Sequence, residues 1–277
     1  MKMFKNFTER LQHIIQQRQS HLCVGIDPEL DKLPKGIPRS SEGLLQFCNE
    51  IIQATAEFAA AFKINFAFFE ALGQAGWRAL AQVAALLPES TIRIADAKRG
   101  DIGNSAKHYA RAILHELPFD CLTVNPYLGE DAAAPFLDNP AKGAFFLCHT
   151  SNPSAREIQH FPDRTQPLYL HVAARVGEWN RNKNCGLVVG ATHAEELKQV
   201  RKVCPDLPFL IPGIGAQDGD LKTSVIVGTA GGKAPTLINV SRAIIFSGDD
   251  KNFATAAAKA AQKFQRDIQS AIDESVS

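Results

Sequence analysis

The sequence predicts an α/β fold, a (β/α)8 TIM barrel with residues 1–277 as a single domain. Three observations carry that expectation. Short buried-type apolar runs recur eight times between Leu22 and Val240. Nearly every run is followed by a helical pattern, the alternation that builds a parallel sheet. No linker or low-complexity break interrupts the chain, and eight such units in about 250 residues match a closed barrel. A doubly wound open sheet is the alternative.

Each element has its own signature. An amphipathic helix over 8–18, capped at Thr8, carries Leu11, Ile14 and Ile15 on one face. The strand at 22–26 stops at Asp27-Pro28, and the following helix sets Leu44, Cys48, Ile51 and Ile52 at three-and-four spacing. The second strand, 60–64, holds Lys63 in apolar company, where an ammonium must be paired or snorkel out of the strand end. A helix over 71–87 stops at Pro88 and leads into the third strand, 91–95. The next helix carries Ala106, Tyr109, Ala110, Ile113 and Leu114 and ends at Pro118. Strands at 121–124 and 143–148 flank a short helical piece at 131–137. A helix at 168–179 and a strand at 186–190 precede a capping-box start, Thr192-His193-Ala194-Glu195. Strands at 208–211 and 237–240 and a last helix over 253–272 complete the pattern.

Composition narrows the function classes. A net charge of +1 leaves no electrostatic footprint for nucleic acid. No apolar run approaches the roughly 18 residues that suggest a membrane span. The first twenty residues are charged and lack the apolar core of a signal peptide, and none of the six cysteines forms Cys-x-x-Cys. Both features point to the reducing cytoplasm. The eight histidines show no metal-ligand spacing, so no zinc site is expected. The segment Gly228-Thr229-Ala230-Gly231-Gly232-Lys233-Ala234 only loosely resembles a P-loop, with Ala234 where a magnesium-binding hydroxyl belongs. It reads as a mobile surface loop.

The chain is organised around Arg93-Ile94-Ala95-Asp96-Ala97-Lys98-Arg99-Gly100-Asp101-Ile102-Gly103-Asn104. Gly100 and Gly103 break the strand, and Ser105 begins a helical pattern. Along a strand, alternate side chains share a face, so Asp96 and Lys98 point the same way, with Asp101 past the turn. A lysine between two aspartates is expected to be held as a cation, which suits a proton donor. A plain ion pair at a strand end is the alternative.

In a barrel the C-terminal strand ends converge on one rim that carries the chemistry. They deliver Asp27, Lys63, Asp96 with Lys98, Asn125, Ser151, the loop Pro212-Gly213-Ile214-Gly215-Ala216-Gln217, and Arg242. The last two follow strands seven and eight, where this fold commonly binds phosphate. Open backbone amides at the glycines, the Gln217 amide and the forked Arg242 cation favour a phosphorylated substrate. Taken singly, the glycines are also a tight turn and Arg242 a surface salt bridge.

These residues resemble the orotidine 5'-phosphate decarboxylase family, in its longer bacterial branch (type 2). Asp96-Ala97-Lys98-Arg99-Gly100-Asp101-Ile102 matches the family's Asp-x-Lys-x-x-Asp signature. Phe62-Lys63-Ile64-Asn65, Phe68-Phe69-Glu70, Thr150-Ser151-Asn152-Pro153, the Pro212-to-Gln217 loop and Asn239-Val240-Ser241-Arg242 are similar to that branch as well. Asp218 departs from it, standing where glycine is expected.

The resemblance implies conversion of orotidine 5'-phosphate to uridine 5'-phosphate and carbon dioxide, the last step of pyrimidine nucleotide synthesis, with no metal and no cofactor. It implies Lys98, Asp96, Lys63 and Asp101 as the catalytic set. Asp27, Ile102, Ser105, Ser151, Pro212, Gly215, Gln217, Ser241 and Arg242 are the implied substrate-binding set. It further implies a homodimer in which Asp101 and Ile102 reach the partner's site, and no nucleic-acid or membrane partner. A magnesium-dependent sugar-phosphate decarboxylase or lyase of the same suprafamily is the nearest rival. Lys63 stands where those enzymes want a carboxylate. A catalytically silent nucleotide-binding or scaffold barrel is the rival from another class.

Overall fold

Eight parallel strands close into a barrel in chain order, each hydrogen-bonded to its neighbours and the eighth to the first. The computed structural model describes residues 4–163, 165–191, 194–214 and 221–276. The strands are β1 (Leu22–Ile26), β2 (Ala61–Asn65), β3 (Ile92–Arg99), β4 (Cys121–Val124), β5 (Gly143–His149), β6 (Cys185–Val189), β7 (Phe209–Ile211) and β8 (Thr236–Val240). The expected barrel is therefore the observed one, with strand ends within a residue or two everywhere except β3. There the strand runs on through the functional stretch to Arg99.

Period-two alternation explains both the closure and the position of the chemistry. Leu22, Val24, Phe62, Ile64, Ala95, Leu122, Ala144, Leu187, Phe209 and Ile238 belong to the buried cluster shared with the surrounding helices. Their neighbours Cys23, Ala61, Ile92, Ile94, Cys121, Phe145, Val188, Leu210 and Leu237 form a second cluster. The first helix, Phe7–Arg18, adds Phe7, Leu11, Ile14 and Ile15 to that second cluster. Phe7 meets Phe145 edge-on at 6.0 Å, and a Cβ on Gly143 would sit 2.5 Å from the Phe7 ring. This helix plugs the barrel floor. Two residues further along each strand, the same inward parity delivers Gly25, Lys63, Asp96, Thr123 and Asn239.

Several local expectations are corrected. The first helix is capped by Asn6, whose side chain accepts the Glu9 N–H, not by Thr8. The helix expected over 71–87 is two pieces, Ala67–Glu70 and Gly73–Leu86. Helices Ala155–Gln159 and Leu221–Gly228 were not expected. The Gly228-to-Ala234 segment is a packed turn. Thr229 and Ala234 are buried, and the Arg201 guanidinium donates to the Gly228 carbonyl and to Thr236. The helix Ala194–Val203 forms as expected, but its predicted cap, Thr192 and His193, lies outside the described residues.

Asp120, just before β4, ties the floor together. It is 1% exposed and accepts from the Arg93 backbone N–H, the Arg93 guanidinium and Arg10 Nη1. Burial opposes its charge, yet Arg93 and Arg10 outweigh that and hold its carboxyl below the usual range. Because the folded-state pKa is depressed, this stabilisation is present above about pH 3.9 and is lost as the pH falls further. Asp120→Asn is expected to cost about 2 kcal/mol at pH 7. Urea unfolding should show that deficit shrinking below about pH 4. A pH-independent deficit would contradict the ion-pair account.

Candidate active site

The rim is built where β1, β2, β3 and β8 end. A cavity of about 190 Å³ there is lined by Asp27, Lys63, Asn65, Asp96, Ser151, Pro212, Gly213, Ile214, Asn239, Ser241 and Arg242. A larger cavity, about 600 Å³, opens beside the helix Leu168–Trp179. Of the expected rim residues it contains only Asn125, so the expected rim residues gather in the smaller, charged cavity.

Its floor is a row of alternating charge. Lys63 Nζ lies 2.8 Å from Asp96 Oδ2 and 3.8 Å from Asp27 Oδ1, and Lys98 Nζ lies 2.6 Å from Asp96 Oδ1. Lys63 is 4% exposed, so snorkelling is excluded and pairing is what makes its burial tolerable. Burial alone would lower its pKa, but Asp96 and Asp27 outweigh it and push it up. Burial likewise opposes the Asp96 charge, and Lys63 and Lys98 win, holding that carboxyl far below its ordinary range. The ion-pair reading of Asp96 and Lys98 is thus correct in geometry, but the pair is one segment of a longer row. Lys98 differs from Lys63 in exposure: its side chain is 51% exposed, and it meets the cavity through Asp96 without lining it.

Thr123 holds this row in register, and sequence reasoning missed it. The β3–β4 pairing shifts between Ala95 and Arg99, and Lys98 takes a positive φ of 46°. For a lysine that costs roughly 1–2 kcal/mol. The displaced Lys98 N–H donates to Thr123 Oγ1 at 2.9 Å, and the same hydroxyl donates to Asp96 Oδ1 at 3.0 Å. One hydroxyl therefore fixes both the lysine's backbone and its partner carboxylate. Its inward parity, two residues after Cys121, was the available signal.

Asp27 Oδ1 is buried and accepts no hydrogen bond among the described residues. A buried acceptor facing a cavity in that state calls for a donor from a ligand. Ser241 closes on β1, its hydroxyl donating to the Gly25 carbonyl at 3.1 Å. A Cβ on Gly25 would lie 2.7 Å from that of Ser241, so only glycine permits this approach. Arg242 lines the cavity and forms no ion pair among the described residues. Gly213, at φ +104°, and Pro212 also face the cavity. Gly215, Gln217 and Asp218 lie outside the described residues.

Besides Lys98, four expected residues are not among those lining this cavity within one chain. The Asp101 carboxylate accepts the Ile102 N–H at 2.8 Å and pairs with neither lysine among the described residues. Ile102 is 63% exposed, and Ser105 is exposed on the helix Gly103–Arg111. Asn125 caps the short turn at Pro126 rather than lining the charged cavity.

Known proteins place this arrangement in a family. Residues 20–258 match the model of the orotidine 5'-phosphate decarboxylase / HUMPS family. The chain is 47% identical to an orotidine 5'-phosphate decarboxylase of Thermomicrobium roseum, over 95% of each chain. It is 45% identical to one of a Roseiflexus species, over 96% of this chain and 98% of that one. The solved structure of Leishmania donovani OMP decarboxylase superposes with a TM-score of 0.84 at 36% identity, covering 97% of this chain and 99% of that one. With the barrel, the paired lysines and the Asp-x-Lys-x-x-Asp stretch in place, the chain belongs to the orotidine 5'-phosphate decarboxylase / HUMPS family.

Proposed function

We infer that the chain is an orotidine 5'-phosphate decarboxylase, converting orotidine 5'-phosphate to uridine 5'-phosphate and carbon dioxide. The observation that carries the mechanism is the Asp27–Lys63–Asp96–Lys98 row at the barrel mouth. The C6–carboxyl bond breaks heterolytically, its electron pair stays on C6, and carbon dioxide leaves. No ring orbital delocalises that pair, so the protein must stabilise it by field and then quench it. Lys98 does both in this reading. Its ammonium faces the developing charge and delivers its proton to C6, leaving a neutral amine that water reprotonates. Asp96 holds that ammonium and lies near the substrate carboxylate, where like charge disfavours the ground state. Lys63 is the fixed countercharge behind it. Asp27, with its unfilled acceptor, and Lys63 bind ribose hydroxyls, and Ser151 reads the pyrimidine edge. Arg242, with Pro212, Ser241 and the loop of Gly215 and Gln217, grips the phosphate, whose remote binding energy is expressed at the ring.

We read residues 1–277 as one domain and the working unit as a homodimer. Asp101 and Ile102 sit just beyond β3, one without a lysine partner among the described residues and the other an exposed apolar side chain. Both features suit residues that complete a neighbour's site. Ser105, on the next helix, belongs to the same shared wall. Six buried free cysteines support a cytoplasmic setting, and no helix among the described residues is long and apolar enough to cross a membrane.

The testing experiment incubates chelator-treated protein with orotidine 5'-phosphate and follows the loss of pyrimidine absorbance. Turnover in chelator is the expected result. Turnover that needs added magnesium would favour the lyase rival, and none under either condition would favour a silent barrel. Arg242→Ala is expected to raise KM by about 10²-fold, the loss of a charge-assisted pair worth about 3 kcal/mol, with a smaller change in kcat. Unchanged constants would remove Arg242 from the phosphate site.

A further inference from the structure

Behind the Ser151 loop, three donors from three separate elements converge. His149 ends β5, His160 follows the helix Ala155–Gln159, and Glu196 lies in the first turn of the helix Ala194–Val203. The two imidazoles meet Nε2 to Nε2 at 3.0 Å, and one ring nitrogen of each and a Glu196 carboxylate oxygen all lie within 4.8 Å of one another. Among the described residues this is the one such group of three histidines, cysteines or carboxylates. The Tyr169 ring packs against both imidazoles, 4.9 and 5.3 Å between centroids, and its hydroxyl is engaged by Gln199.

We propose that His149, His160 and Glu196 form a binding site for a divalent transition-metal ion of the zinc class, separate from the reacting centre. Two imidazoles and one carboxylate with an open fourth position are a donor set that zinc favours. At Zn–N bonds of about 2.0–2.1 Å, tetrahedral geometry puts two nitrogens about 3.4 Å apart, so the rings need to part by only about 0.4 Å. Glu196 closes the remaining distance by side-chain rotation, since it is only partly buried. A shared proton also accommodates the two nitrogens, but it gives no role to the converging carboxylate. The histidine spacing in the sequence held no hint of the site, because no two ligands share an element.

An ion here would clamp the 150–160 segment to the neighbouring helix. That segment is already folded on itself, the Thr150 N–H donating to Gln159 Oε1 and the Gln159 amide to Thr150 Oγ1. It carries Ser151 into the charged cavity. Occupancy therefore sets the rigidity of the wall that faces the pyrimidine, a consequence that rests on the decarboxylase reading. The site itself does not.

The test uses the full chain, stripped with chelator, and no substrate. Cobalt(II) is titrated while its visible ligand-field band is followed, and zinc affinity is measured by competition with a chromogenic chelator. All six cysteines are buried, and burial pushes their thiols up, Cys204 to about 11. They therefore do not compete for the probe in the folded protein. The expected result is one equivalent of metal per chain, with His160→Gln and Glu196→Gln each weakening it by at least about tenfold. Both side chains are partly exposed, so both variants keep the fold, which circular dichroism checks. No saturable binding, or equal affinity in both folded variants, would overturn the site.

Discussion

Lys98→Ala is expected to lower turnover by at least about 10⁴-fold, the upper end of what one general acid contributes, while the protein stays folded. The loss is large because, in the proposed mechanism, one ammonium serves two purposes: it supplies the field at C6 and the proton that quenches it. The fold tolerates the change because the Lys98 side chain is 51% exposed and Asp96 keeps its contact with Lys63 at 2.8 Å. The substitution also leaves the Thr123 bond to the residue-98 backbone in place. Single-turnover absorbance measurements make the comparison. Residual turnover within about a hundredfold of the parent would remove Lys98 as the donor. The same variant probes the proposed sharing of the site between subunits. In a two-fold dimer, equal mixing of Lys98→Ala and Asp101→Ala chains makes about half the molecules mixed, each with one intact site, so about a quarter of the parent activity returns.

The barrel was legible because buried parallel strands read as apolar runs, and parity along them put Lys63 and Asp96 on the inner face. Asp27, Lys63, Asp96 and Arg242 all reach the expected rim. What escaped shares a cause. Thr123 in Cys-Leu-Thr-Val looks like ordinary β propensity, and only the β3–β4 register shift reveals its hydroxyl bridging the Lys98 backbone and the Asp96 carboxylate. Leu221–Gly228, with Thr223, Val225, Ile226 and Val227, carries β-branched residues that argue against a helix, and packing against the barrel overrides them. The His149, His160 and Glu196 cluster arises from contacts between elements, which no window along the chain can register. Asp101 and Ile102 were placed by likeness to a family, and among the described residues Asp101 has no partner lysine.

Asp96→Asn should damage both activity and stability, because one carboxylate neutralises two lysines of different burial. Lys63 is 4% exposed and, among the described residues, has only the Asp27 carboxylate, at 3.8 Å, to fall back on. Removing one member of a buried pair costs about 3–5 kcal/mol, and the surviving Asp27 contact puts the expected loss near 3 kcal/mol. Turnover should fall by at least about 10³-fold, since Lys98 loses the group that aims it and the substrate carboxylate loses its like-charged neighbour. The pH dependence separates this from a packing defect. Asp96 has a depressed folded-state pKa, so its contribution is present above about pH 3.9 and lost as the pH falls. Lys63 has a raised one, so its contribution is complete below about pH 10.4 and lost as the pH rises through the folded value. Urea unfolding of the parent and the variant should therefore give a gap that is widest between about pH 4 and pH 10 and narrows on both sides. A gap that stays constant down to pH 3 would mean that the alternating charges contribute nothing to holding Lys63 in the barrel.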